Sequence, residues 1–222
     1  MRLLMKYNKS IGNIFLVWRQ GRGKRRQIIG VIKKNSTKGI RFSYLVSEEK
    51  AKEIGFKSYI GFPDLKKIYT ENVLEIFSLR LTKPERPDID NYYKFWEIEP
   101  CYQQDKFYLL AHTQGLLATD NFELIADYNP IKDLSFVSEI SGLSYTNPPV
   151  DSINIGDKLR WEREPQNIFD SHAVKLFKND IFLGYVKIIH SNVFYKTSEL
   201  KVEIKDIDKN GSLHRVFIKI SL

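Results

Sequence analysis

The chain has 222 residues, enough for one large core or two small ones, and its 42% hydrophobic and 28% charged residues are typical of a globular protein rather than a collagen-like, disordered or coiled-coil chain. No stretch approaches the roughly 18 apolar residues of a membrane helix, so we expect neither a membrane span nor a signal peptide. The net charge of +8 is concentrated at the N-terminal end, where residues 1–47 contain twelve Lys and Arg and no Asp or Glu.

The first part of the chain mixes strand and helix patterns. Two apolar runs, separated by a basic turn with glycines, predict a β-hairpin over residues 14–32, and alternation predicts a third strand over 41–46. A helix is expected between Ser47 and Gly55, because a hydroxyl caps free amides and glycine ends a helix. The remaining predicted elements are helices over 72–79 and 90–96 and strands within 107–124, with a turn near Gln114 and Gly115.

From residue 136 onward the pattern changes to short strands separated by turn residues. The predicted strands cover residues 136–143, 157–163, 173–178, 181–186, 201–206 and 213–220, with one helix over 188–196. Several short strands at this spacing favour a small barrel or sandwich. We therefore predict an α+β protein with a basic α+β domain over 1–135 and a β-barrel domain over 136–222.

The turn of the first hairpin is the most basic segment of the chain. It includes Arg22, Lys24, Arg25 and Arg26, with Phe15 and Trp18 on the strand before it. Clustered cations with aromatic neighbours are typical of a surface that contacts the nucleic-acid backbone. We predict that these four side chains bind phosphates, although a solvated basic hairpin without a partner has the same composition.

The second domain contains a run of motifs in a specific order. A Gly156-Asp157 turn leads into a strand that ends in Arg-Glu-Pro, then Asn167, a Phe169-Asp170 pair, an Ala-Val strand and a Gly184-Tyr185 pair. In this order and spacing the segment over 136–222 resembles a HIRAN domain. The resemblance implies a small OB/SH3-like barrel that binds single-stranded DNA or 3′ DNA ends.

The same resemblance implies roles for four residues. In related fork-remodelling ATPases two aromatic rings sandwich the terminal base, and an Asp accepts a hydrogen bond from the 3′-hydroxyl. Matched to this chain, the rings are Tyr145, at a predicted strand end, and Phe169, and the acceptor is Asp170. Lys187 matches a basic position suited to a backbone phosphate.

Each of these residues also has a structural interpretation. Asn167 and Asp170 are residue types that build turns by bonding local amides. Tyr145 and Phe169 have the size and polarity of core aromatic residues. The sequence alone leaves both interpretations open.

The N-terminal domain carries a looser similarity. The opening hairpin, the strand Arg41-Phe42-Ser43-Tyr44 and the segments Phe62-Pro63-Asp64 and Phe77-Ser78-Leu79-Arg80-Leu81 resemble the N-terminal lobe of HipA-type kinases of toxin–antitoxin systems, without the catalytic lobe. This resemblance implies an alternative function, a regulatory protein–protein interaction module of a toxin–antitoxin or phage-defence complex, with a partner encoded nearby.

Catalytic motifs are not found in the sequence. Arg25 stands where a P-loop needs Ser or Thr, and the four histidines lack paired metal-ligand spacing. Cys101 is the single cysteine, so no intramolecular disulfide forms. We expect a non-enzymatic, cytoplasmic protein without cofactor or metal that acts in defence or repair.

Overall fold

An antiparallel sheet and a closed barrel form the framework of the protein in the computed structural model, which describes residues 8–21 and 23–222. The sheet has the order β3-β2-β1-β4, and its strands are β1 (Ile11–Trp18), β2 (Gln27–Asn35), β3 (Gly39–Tyr44) and β4 (Phe122–Tyr128). All three pairings are antiparallel, with Phe15 opposite Val31 in the hairpin and opposite Ile125 in β4. The predicted hairpin and third strand are therefore confirmed.

Four helices are inserted between β3 and β4. They are α1 (Glu48–Glu53), α2 (Val73–Ser78), α3 (Ile89–Phe95) and α4 (Lys106–Thr113), with a 3₁₀ turn at Pro100–Tyr102. The side chain of Ser47 accepts a hydrogen bond from the Lys50 amide at 3.2 Å, which confirms the predicted cap of α1. Helices α2 and α4 contact each other and the sheet, so they cover one of its faces.

The prediction of strands throughout residues 107–124 is wrong, because helix α4 occupies the first part. One oxygen of the Asp105 side chain accepts the amides of Phe107 and Tyr108 at 2.9 and 3.1 Å and so begins the helix. All residues from Phe107 to Thr113 are buried. A helix that is buried on every side has no polar face, and its continuous apolar run resembles a buried strand in sequence.

Six strands close the barrel in the order β10-β5-β8-β7-β6-β9. They are β5 (Ser135–Ser141), β6 (Lys158–Glu164), β7 (Ala173–Lys178), β8 (Ile181–Val186), β9 (Lys201–Lys209) and β10 (Leu213–Ser221). All six correspond to predicted strands, and the α+β class with a small barrel is confirmed. The predicted helix over 188–196 is a 3₁₀ helix, His190–Tyr195; a short helix α5 (Leu143–Thr146) and a 3₁₀ turn at Val150–Ser152 follow β5.

The core continues from the sheet into the barrel. The ring of Tyr128 in β4 stacks on that of Phe136 in β5, with centroids 3.9 Å apart. The other face of the sheet contributes Val17 and Ile125 to a second apolar cluster with Ile189, next to the barrel's 3₁₀ helix. The boundary between 1–135 and 136–222 stays a prediction; it falls within β5, and the core extends across it. In the described part of the chain no helix has the length and apolarity needed to cross a membrane.

Candidate nucleic-acid interface

The loop between β6 and β7 is held in one conformation by two side chains. The Asn167 side-chain oxygen accepts the amides of Phe169 and Asp170 at 3.0 and 3.2 Å, and one oxygen of Asp170 accepts the amide of His172 at 2.8 Å. These bonds confirm that Asn167 and Asp170 build the turn. They use only one of the two carboxylate oxygens of Asp170, so the turn-building role leaves the second oxygen for another donor.

Phe169 projects from this loop into solvent. Its side chain is 65% exposed, and the preceding Ile168 is 87% exposed. Phe169 is therefore not a core aromatic residue. The fixed backbone of the loop holds the ring outside the barrel, where it is available to a ligand.

Tyr145 is exposed for a different local reason. Gly142 has a φ of +90°, which turns the chain out of β5 and into α5, so the predicted strand end at Tyr145 is wrong. The hydroxyl of Thr146 donates to the Leu183 carbonyl at 2.8 Å and holds α5 against β8. Tyr145 is 87% exposed on this helix, so it too lies outside the core.

One carboxylate links the segments that carry the two rings. The Tyr185 hydroxyl, on β8 beside α5, donates to the Glu164 carboxylate at 3.1 Å, and the Asn167 amide donates to the same oxygen at 2.6 Å. Gly184 allows β8 to lie close to the end of β5, because a Cβ at that position would lie 2.4 Å from the Ser141 carbonyl oxygen. We call the exposed side chains Tyr145, Ile168 and Phe169 the aromatic edge. Its two rings make no contact with each other.

The tip of the N-terminal hairpin reaches the aromatic edge. The guanidinium carbon of Arg25 lies 3.8 Å from the centroid of the Phe169 ring, which is cation–π distance. Arg25 and Lys24 are both exposed, and neither forms an ion pair with a described residue. Arg22 lies outside the described residues, so its predicted phosphate contact is not placed.

Arg26 is not a surface cation, which corrects its predicted role. Its side chain is only 15% exposed; Nε lies 3.1 and 3.2 Å from the two carboxylate oxygens of Glu123, and Nη2 lies 3.3 Å from Glu139. Its remaining terminal nitrogen donates to the Ser141 hydroxyl at 3.2 Å. The guanidinium is therefore committed to neighbours inside the protein and is not available to a DNA phosphate.

Lys187 is also buried and paired inside the protein, so its predicted contact with a DNA phosphate is wrong. Its side chain has no solvent exposure, and Nζ lies 2.8 Å from Glu123, 3.0 Å from Glu139 and 2.7 Å from the Gln114 side-chain oxygen. Three contacts match the three donors of an ammonium group. Lys187, Arg26, Glu123 and Glu139 are called the buried ion cluster below.

The electrostatics of the buried ion cluster favour its charged form. Burial by itself raises the pKa of both carboxyl groups, but the charges of Lys187 and Arg26 outweigh this effect. The pKa of Glu123 is held well below its usual range, and that of Glu139, which also faces Arg215, is lowered to about 2. Sequence reasoning missed these two carboxylates, although each lies beside apolar residues of its strand, Glu123 before Leu124 and Ile125 and Glu139 before Ile140.

A groove separates the hairpin from the barrel beside the aromatic edge. Its volume is about 500 Å³, and it is lined by Ile28, Asp170, His172, Ile188, Ile189, Asn192, Tyr195 and Lys196. Lys196 is tied to the Asp127 carboxylate at 2.9 Å and to the Tyr128 carbonyl at 2.8 Å. Asp170 thus lines the groove and directly follows Phe169, the residue whose ring contacts Arg25.

Comparisons with known proteins give one distant structural likeness. No protein-family model and no curated protein matches the chain. Among solved structures, the HIRAN domain of human HLTF is similar to 39% of this chain over 73% of its own length, with 16% sequence identity and a TM-score of 0.32. A similarity with so low a TM-score and sequence identity does not indicate a function. The HIRAN and HipA resemblances therefore stay predictions.

Proposed function

We propose that this chain is a non-catalytic DNA-binding protein whose barrel captures single-stranded DNA or 3′ DNA ends at the aromatic edge. The observation that carries the proposal is the exposure of Tyr145 and Phe169 on linked segments of the barrel, with an Arg25 that has no described carboxylate partner beside them. Exposed rings stack on any base, and a free guanidinium attracts the phosphate backbone.

The first expected result is a preference for single strands. An oligonucleotide should bind more tightly than its blunt duplex, because a duplex has no unstacked base to offer Tyr145 and Phe169. Fluorescence anisotropy with matched labelled oligonucleotides measures both affinities, and a salt titration should weaken both through counterion release. Equal affinity for the two forms would contradict a stacking site. Insensitivity to salt would instead favour the protein-interaction alternative.

The second expected result concerns the terminus of the strand. The unused oxygen of Asp170 is suited to accept a hydrogen bond from a 3′-hydroxyl, whereas a 3′-phosphate would place two anions together. Wild type should bind a 3′-hydroxyl end roughly tenfold or more tightly than a 3′-phosphate end, since a hydrogen bond to a charged group contributes about 1.5–3 kcal/mol. Competition between the two ends in anisotropy measures the ratio.

Asp170→Asn tests this assignment without removing the turn. Its amide oxygen is able to accept the His172 amide as the carboxylate does, so the unfolding midpoint should stay near that of wild type while the preference for hydroxyl ends is lost. A variant that keeps the preference would show that Asp170 serves the turn alone.

A further inference from the structure

The contact between Arg25 and Phe169 joins two segments that are far apart in sequence. Arg25 belongs to the hairpin tip before β2, and Phe169 to the β6–β7 loop of the barrel. The guanidinium and the ring are 3.8 Å apart, measured from the guanidinium carbon to the ring centroid. Arg25, from the hairpin turn of the N-terminal sheet, thus covers part of the exposed surface of the barrel at Phe169.

The neighbouring residue fixes the position of this contact. Arg26 is bonded to Glu123 in β4 and to Glu139 and Ser141 in β5, so the backbone next to Arg25 is anchored on both the sheet and the barrel. Arg19, at the other side of the turn, also pairs with Glu123, at 3.0 Å. Arg26 therefore holds one end of the hairpin tip against the barrel, and Arg19 ties the other end to β4 of the sheet.

The chemistry of a stacked guanidinium leaves its donors free. Stacking uses the flat face of the group, while its N–H donors point outward from the edge and suit a phosphate. Arg25 has no other interaction with a described residue. Phe169 remains 65% exposed with Arg25 in place, so part of the ring is still open to a base.

We propose that Arg25 and Phe169 form one nucleotide subsite, in which the ring stacks a base and the edge of the guanidinium binds a phosphate adjacent to that base. This inference rests on the proposed function and deepens it, because it replaces diffuse phosphate contacts of the hairpin with recognition of a single phosphodiester. The ligand class is a nucleotide unit of single-stranded DNA, and the site is incomplete without the N-terminal sheet.

The test uses the full chain and single-stranded oligonucleotides in which one phosphate at a time is replaced by an uncharged methylphosphonate. Wild type should show its largest loss of affinity, about tenfold, at one position, as expected for a charge-assisted contact. Arg25→Ala should bind the unmodified strand about tenfold more weakly and show no further loss at that position. Arg25→Lys, which keeps the charge but not the planar fork, should recover the affinity only in part.

Lys24→Ala is the matched control, because it removes an adjacent exposed cation that has no described ring contact. It should weaken binding at all positions alike and leave the profile of the scan unchanged. Tighter binding by Arg25→Ala would overturn the inference, since it would mean that Arg25 covers the stacking face of Phe169. An unchanged scan profile in Arg25→Ala would also overturn it while leaving the proposed function standing. If wild type does not bind single-stranded DNA, the inference and the proposed function are both contradicted.

Discussion

Replacing Lys187 with methionine should lower the free energy of unfolding by about 3–5 kcal/mol, because the change removes one of the two cations, Lys187 and Arg26, that the two buried carboxylates share. Methionine fills much of the same volume, so the loss comes mainly from the excess negative charge of Glu123 and Glu139, which Arg26 alone does not balance. Domains of this kind are stable by about 5–15 kcal/mol, so the effect is a large part of the whole. Urea denaturation followed by circular dichroism measures it.

A matched control and the pH dependence separate this effect from general damage. Lys33→Met, on an exposed position of β2, should change stability by no more than about 0.5 kcal/mol. In wild type the lowered pKa values of Glu123 and Glu139 stabilise the fold above their usual value of 4.5, and this contribution is lost as the pH falls through the lowered values. Lys187→Met has less of this pH-dependent stabilisation, so the difference in unfolding free energy between wild type and the variant should narrow as the pH falls. A difference that is constant with pH would assign Lys187 to packing alone.

Phe169→Ala should weaken the binding of single-stranded DNA by about 1–3 kcal/mol, or roughly 5- to 150-fold, because an exposed ring contributes that much when it stacks on a base. Tyr145→Ala should have an effect of similar size. If the two rings hold the same base, the double variant should lose less than the product of the two single effects, since residues that share one partner are coupled. Anisotropy titrations at fixed salt give all three affinities.

Ile168→Ala is the control for these variants. Ile168 adjoins Phe169 and is 87% exposed, but it has no π face, so its loss should affect binding far less. None of the three exposed side chains belongs to the core, and each variant should keep the unfolding midpoint of wild type. Equal losses for Ile168→Ala and Phe169→Ala would replace stacking with general hydrophobic contact as the binding mode.

Local patterns accounted for most of the secondary structure. The hairpin, the Ser47 cap and all six barrel strands follow from turn residues, capping and apolar runs that are near in sequence. Helix α4 could not be recognised in the same way. The lack of any exposed position from Phe107 to Thr113 reflects burial against the sheet and barrel, which is a property of the assembled core.

The candidate site shows the same division between features set by neighbouring residues and features set by the assembled structure. The turn formed by Asn167 and Asp170 was one of two interpretations that the sequence left open, and the structure confirms it through bonds that span only a few residues. The exposure of Tyr145 depended on the left-handed Gly142, which starts a helix where a strand end was predicted. Lys187, matched to a phosphate contact by its place near the Gly184-Tyr185 pair, lies in the buried ion cluster instead.

The sequence by itself determined the first hairpin, the barrel strands and the concentration of positive charge before residue 48, because these depend on residues within a few positions of one another. Only the tertiary structure decided what each cation does. Arg25 and Arg26 are adjacent and chemically identical, yet one stacks on Phe169 at the surface while the other is enclosed between Glu123 and Glu139. Their partners lie about a hundred or more residues along the chain, and a charge becomes buried or exposed according to which partners the fold brings to it.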